Sequence, residues 1–241
     1  MKYKMFVGYD CRMPVPFMVA NRSLLLAIKK PYLLDLNMLH LPTLQAIGFY
    51  NRPTKRLKNG GLWDVISDAP MSTEFAITRF LVPVLSGFSG WSGFCDSDFL
   101  FFSDIGKVFE KLDPKYAVYC VKHKYSPPTG TKMDGQTQTV YERKNWSSFM
   151  IFNCKHPANK YLTVENVNKD TGRDLHRFHW LKDEEIGALD ESWNWLEGHS
   201  SSEIIPDAVH FTRGTPDMEG YENVPYADNY RAILEELPLC R

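Results

Sequence analysis

The first apolar run, Met5 to Val7, is closed by Gly8, Tyr9 and Asp10, the pattern of a buried strand with an exposed end. Phe17, Leu24 and Ile28 then recur at helical spacing, with Pro14 and Pro16 at the start of the segment and Pro31 just beyond it. Proline is tolerated in a first helical turn and stops a helix it follows, so a strand, a turn and a helix are expected in that order. From Asn51 to Pro70 the chain turns to Gly, Pro and charge and reads as a loop or lid, because it has little apolar surface to bury.

Ser72 or Thr73 is placed to cap a helix through Phe75, Arg79, Phe80 and Val82, which Pro83 should kink or end. Trp91 to Cys95 is apolar enough for a central strand and delivers Asp96-Ser97-Asp98 at its carboxyl end. Asp104 opens another expected helix, whose stripe is Ile105, Val108, Phe109 and Leu112. Tyr116 to Val121 and Phe149 to Phe152 read as two more strands, separated by a long polar segment from His123 to Asn145. A loop of that length in a compact domain is usually functional or disordered. Strands alternating with helices predict an α/β fold, with a mainly parallel central sheet flanked by helices and ligands at the strands' carboxyl ends. Asp10, Asp96 and Asp98 all fall at such ends.

Composition narrows the function. The 241 residues carry 28 basic and 29 acidic side chains for a net charge of -1, so no broad positive field exists to hold nucleic acid. Five cysteines without Cys-x-x-Cys spacing argue against a disulfide framework or a structural zinc site. The first ten residues lack the features of a secretory signal, and no stretch reaches the ~20 apolar residues of a membrane span. A single domain in the cytoplasm, with no transmembrane segment, is the resulting expectation.

The Asp-x-Asp pair interrupts the most apolar neighbourhood of the chain, between Gly93-Phe94-Cys95 and Phe99-Leu100-Phe101-Phe102. Unpaired buried charge is costly, and a hard divalent cation compensates it through oxygen ligands. Residues two apart on extended backbone point the same way, so both carboxylates can face one ion. The ordinary alternative is a turn cap plus a surface ion pair. His210, at the end of the strand-like Ala208-Val209, is the candidate third ligand. Arg213 and Gly214 follow it and suit a diphosphate, through a guanidinium fork and closely approaching backbone amides.

Taken in order, Val7-Gly8-Tyr9-Asp10, the helix carrying Arg79, Cys95-Asp96-Ser97-Asp98 and His210-Phe211-Thr212-Arg213-Gly214 resemble glycosyltransferases of the GT-A fold, nearest the glycosyltransferase family 8-like group. The resemblance spans nearly the whole chain. It implies a nucleotide-binding half over 1–104, ending in the Asp-x-Asp motif, and an acceptor-binding half over 105–241. It implies Mn2+ or Mg2+ on Asp96, Asp98 and His210. Donor contacts fall to Gly8, Tyr9, Asp10, Arg12, Arg79, Ser97, Arg213 and Gly214. Trp146, Ser147, Ser148 and Asn194 would meet the sugar or acceptor, as would His123, Lys132 and Gln136 from the long segment.

Asp183-Glu184-Glu185 stands where the family carries Asp-Gln near the anomeric face, which makes Asp183 and Glu184 the catalytic candidates; the Glu replaces the family's Gln. Thr215-Pro216-Asp217 also lacks the family's lysine, for which Arg213 is the substitute. The implied reaction is metal-dependent transfer of a sugar from a nucleotide-diphosphate sugar, with uridine diphosphate (UDP) as carrier, to a carbohydrate or other acceptor hydroxyl. The family retains anomeric configuration.

Two other classes share parts of this pattern. A phosphohydrolase of the haloacid dehalogenase type also sets Asp-x-Asp after an apolar strand, but Leu100 stands where its motif has Thr or Val, and the pair lies in mid-chain. A non-catalytic nucleotide-sugar binder would preserve the whole constellation. A nucleotidyltransferase is disfavoured because Gly8-Tyr9-Asp10 is too sparse to cradle a triphosphate.

Overall fold

The computed structural model describes residues 2–124 and 143–238. Its strands are β1 (Tyr3–Tyr9), β2 (Leu34–His40), β3 (Thr54–Arg56), β4 (Leu62–Asp64), β5 (Ala69–Met71), β6 (Trp91–Cys95), β7 (Phe99–Phe101), β8 (Val118–Val121), β9 (Phe149–Asn153), β10 (Ile186–Leu189), β11 (Trp195–Leu196) and β12 (Ala208–His210). The helices are α1 (Pro14–Ala27), α2 (Leu41–Ala46), α3 (Val82–Leu85), α4 (Gly106–Phe109), α5 (Val164–Lys169), α6 (Gly172–His176) and α7 (Ala227–Glu235).

Six strands form the central sheet in the order β10-β8-β9-β6-β1-β2. The pairs β1/β2, β1/β6 and β8/β10 are parallel, while β9 runs antiparallel to both β6 and β8. Strands from before and after residue 104 therefore share one sheet, and the expected mainly parallel α/β architecture is present.

Alternation along each strand divides the core between the two faces. Met5, Val7, Cys95, Tyr119, Val121, Phe149 and Ile151 pack on one side, with Ala20, Leu24 and Ile28 of the first helical segment. Phe6, Phe94, Val118, Cys120, Met150 and Phe152 pack on the other, with Phe75, Phe80, Leu175 and Phe178. A third cluster, with Leu100, Val209, Phe211 and Tyr230, seats α7. Gly8 is demanded by closeness, because a Cβ there would lie 2.4 Å from the Phe75 ring.

Three expectations need correction. The 51–70 stretch is a three-stranded antiparallel sheet, β3-β4-β5. Leu62 and Met71 anchor it in the core, and the buried Arg52 ties it down further, with Nε 2.9 Å from Asp64 Oδ1 and Nη1 donating to the carbonyls of Val167 and Asp170 at 2.8 and 2.7 Å. The helix expected from Ser72 is a 3-10 turn over Thr78–Leu81 followed by the short α3. Pro83 has no amide hydrogen for the Arg79 carbonyl, and Val82 N–H bonds that carbonyl instead. The stripe after Asp104 condenses to α4, with Asp104 Oδ1 accepting from Gly106 N–H at 2.8 Å and Leu112 only partly buried.

Candidate functional site

β6 runs into Asp96, whose amide donates to Ser148 O at 2.9 Å and prolongs the β6/β9 ladder by one residue. The next strand, β7, pairs antiparallel with β12, with Phe99 opposite His210. Phe211 N–H then bonds the Asp98 carbonyl at 3.0 Å. This small sheet, β11-β12-β7, brings residue 210 to the Asp-x-Asp segment. The result is a cluster in which one ligand atom from each of Asp96, Asp98 and His210 lies within 4.8 Å of the others.

The imidazole is clamped. It is 3% exposed and stacks on Phe99 with centroids 4.5 Å apart. Asn194 Nδ2 donates to Ser148 Oγ at 2.9 Å, which turns Asn194 Oδ1 toward His210 Nδ1, also at 2.9 Å. An Nδ1–H donated to the Asn194 carbonyl oxygen would aim Nε2 at Asp98 Oδ1, 3.3 Å away. A lone pair opposed to a carboxylate oxygen is unfavourable unless a positive centre is shared between them.

Arg79 approaches Asp96 from the other side, with Nη1 2.8 Å from Oδ1 and side-chain exposures of 5% and 16%. Its directed hydrogen bonds go elsewhere: Nη1 to Ser147 O at 2.9 Å and Nε to Phe75 O at 3.3 Å. The guanidinium also lies 4.8 Å from the Phe94 ring centroid. Among the described residues, Asp98 Oδ1 is buried without a hydrogen-bond partner, and Asp96 Oδ1 has only its ion pair with Arg79. Burial pushes the Asp96 carboxyl up to about 6 against the opposing pull of Arg79, and the neighbouring Asp98 raises it further. Two inward carboxylates and an imidazole fit a hard divalent cation, because the ion would satisfy both carboxylates and the ring nitrogen together.

A second acidic group, Asp10, Cys11 and Glu74, offers no such vacancy. Asp10 is wholly buried and forked by Arg12 at 3.0 and 2.7 Å, and its Oδ2 also accepts from Glu74 N–H. Glu74 accepts from Cys11 N–H and Sγ. Tyr9, beside Asp10 at the end of β1, meets Phe17 and His40 edge-on. These donor candidates sit at the sheet's carboxyl end, two strands' width from Ser148.

Ser97 is buried between the two aspartates. Arg213, expected at the phosphates, is forked onto the wholly buried Glu197, with Nε 2.8 Å from Oε2. Gly214 lies under the Tyr221 ring, which a Cβ would meet at 2.6 Å. Trp146 Nε1 donates to His123 O at 3.0 Å, and Ser147 Oγ lies 2.7 Å from His176 Nδ1. His176 and Glu197 went unnoticed in the sequence, where no motif or spacing marks either residue. Lys132 and Gln136 lie outside the described residues.

Asp183 and Glu184 are not brought to this cluster. They form an exposed 3-10 turn before β10, with Asp183 paired to Arg143. The register runs from Ile186 to Val118, Phe152 and Ser92, the amino half of β6. The turn thus enters the sheet at the end opposite Asp96.

No family model matches the chain. It is 41% identical over 239 residues to Protein CDI of Arabidopsis thaliana, across 97% of this chain and 86% of that protein. The chain belongs to the family of Protein CDI. Among solved structures, WbbM, a bifunctional glycosyltransferase, superposes with a TM-score of 0.64 at 13% identity over 98% of this chain. GlyE, a glycosyltransferase of Streptococcus pneumoniae TIGR4, gives 0.59 at 12% identity over 97%. The chain spans half of the WbbM chain and 60% of the GlyE chain. The galactosyltransferase LgtC, solved with donor and acceptor sugar analogues, gives 0.58 at 8% identity over 99% of this chain and 97% of its own. At these identities the likeness establishes the fold, which is that of the GT-A glycosyltransferases. No helix among the described residues is long and apolar enough to cross a membrane.

Proposed function

We propose that the chain is a glycosyltransferase, related to family 8, which moves a sugar from a nucleotide-diphosphate sugar to an acceptor hydroxyl. The observation that carries this reading is the meeting of Asp96, Asp98 and His210, from segments more than a hundred residues apart, with ligand atoms of all three within 4.8 Å of one another. The shared GT-A fold supports it and disfavours the phosphohydrolase alternative.

Asp96, Asp98 and His210 would hold Mn2+ or Mg2+, which when bound neutralises charge building on the departing diphosphate. The remaining work falls to the chain. Arg79, fixed by the Phe75 and Ser147 carbonyls, presents an always-charged group beside Asp96 without reorganisation. Asn194 and Ser148 keep the His210 ring oriented. Tyr9, Asp10 and Arg12, at the carboxyl end of β1, are the donor-nucleotide end of the site, with UDP the expected carrier and 1–104 the nucleotide-binding half. Segment 105–241 is the acceptor half. Retention of anomeric configuration is the outcome that the resemblance to family 8 leads us to expect.

Incubation with a panel of UDP-sugars and Mn2+, scored by release of UDP, tests the proposal. Turnover by the wild type that is lost in Asp98→Asn is the expected result. A panel neither bound nor consumed, with or without metal, contradicts it.

A further inference from the structure

The imidazole of His123 is the least explained polar group near the cluster. It follows β8 by two residues, at the sheet's carboxyl end, where Cys120 pairs with Met150 and places it beside the Ser147-Ser148 turn. Its carbonyl is pinned by Trp146 Nε1 at 3.0 Å, and the Lys122 and Arg143 cations lie 5.8 and 5.7 Å from the Trp146 ring centroid. The backbone is therefore held, while Nε2 is buried with no hydrogen-bond partner among the described residues. Buried polar atoms are almost always paired, and an orphaned ring nitrogen calls for a missing partner.

Position narrows what that partner is. Burial and the nearby His210 both lower the pKa of His123, so the ring is within electrostatic reach of the proposed metal ligand and is neutral. A neutral imidazole offers one donor and one acceptor nitrogen, which suits a hydroxyl better than a phosphate. In a nucleotide-diphosphate sugar, the group one bond beyond a metal-held diphosphate is the sugar itself.

We propose that His123 is a specificity-determining residue whose Nε2 hydrogen-bonds a hydroxyl of the donor's sugar. This rests on the glycosyltransferase reading. Lys122 and Arg143, close to the Trp146 ring, help keep the supporting indole in place.

Calorimetric titration of Mn2+ with UDP, and separately with UDP-glucose and UDP-galactose, tests this on the wild type, His123→Leu and His123→Gln. All three proteins should bind Mn·UDP alike. The wild type should bind one UDP-sugar more tightly than UDP, and His123→Leu should lose roughly tenfold of that increment, with partial recovery in His123→Gln. Thermal unfolding without ligand separates this from a structural role: because Nε2 is unsatisfied in the free protein, His123→Leu should melt no lower than the wild type. Unchanged sugar discrimination in His123→Leu, or equal losses for UDP and UDP-sugar, overturns the assignment alone. Absence of any Mn·nucleotide binding by the wild type overturns the glycosyltransferase reading and this assignment together.

Discussion

His210 Nε2 stands 3.3 Å from Asp98 Oδ1, while Asn194 Oδ1 lies 2.9 Å from Nδ1 on the other side of the ring and orients it. A cation shared between that nitrogen and the carboxylate would use the orientation Asn194 gives the ring. Asn194 is thus a positioning residue for the proposed metal. Asn194→Ala should weaken Mn2+ binding by about 10–100-fold, as loss of such outer partners usually does. Titration calorimetry on the purified variant would show it, and unchanged affinity would remove Asn194 from the account.

Arg79 is the only basic group among the described residues that is ion-paired to Asp96. Removing its charge by Arg79→Met leaves a buried carboxylate without its ion pair and should destabilise the fold by about 3–5 kcal/mol. Arg79→Lys keeps a charge but cannot reproduce the fork to Phe75 O and Ser147 O. It should fold nearly as well as the wild type and lose most donor turnover. Chemical denaturation paired with UDP release distinguishes the two.

The same reasoning applies far from the cluster. Arg52 and Asp64 form a buried pair that ties β3-β4-β5 to the segment after α5. Asp64→Asn should cost about 3–5 kcal/mol while leaving Mn2+ affinity of the folded protein unchanged. A loss of metal binding at full stability would show a coupling that the geometry does not contain.

The pH dependence of stability has two opposed parts. Burial lowers His123 to about 4 from the ordinary histidine value of 6.5. The unfolded chain binds the extra proton first, so this contribution is complete above about 6.5 and is lost as pH falls toward 4. Asp96 is raised from 3.8 to about 6, so its contribution is complete below about 4 and disappears as pH rises through 6. His123→Gln removes only the first part. Between pH 7 and 5 it should lose less stability than the wild type in urea titrations, and superimposable profiles would contradict the neutral, buried ring.

Much of the fold and the metal cluster was legible because both follow short-range rules. Apolar runs gave the strands Trp91–Cys95 and Phe149–Asn153, and the aspartates fell where a strand's carboxyl end meets an ion. The small sheet over 54–71 was not legible, since Arg52 and Asp64 hold it by charge and no hydrophobic period announces such a pair. Register was equally hidden. Asp183 and Glu184 stand at a suggestive place in sequence, yet the pairing of Ile186 with Val118 sets them at the far end of the sheet. His176 reaches Ser147 only through tertiary packing, and nothing within its own helix points there.

Calorimetric titration of Mn2+ into the wild type, Asp98→Asn and His210→Leu bears most directly on the account. One ion per wild-type chain, with affinity falling at least about tenfold in each variant while thermal unfolding of the ion-free proteins stays cooperative, is the predicted result. Binding that is absent from the wild type, or that persists undiminished in both variants, would contradict a cation held by these three side chains.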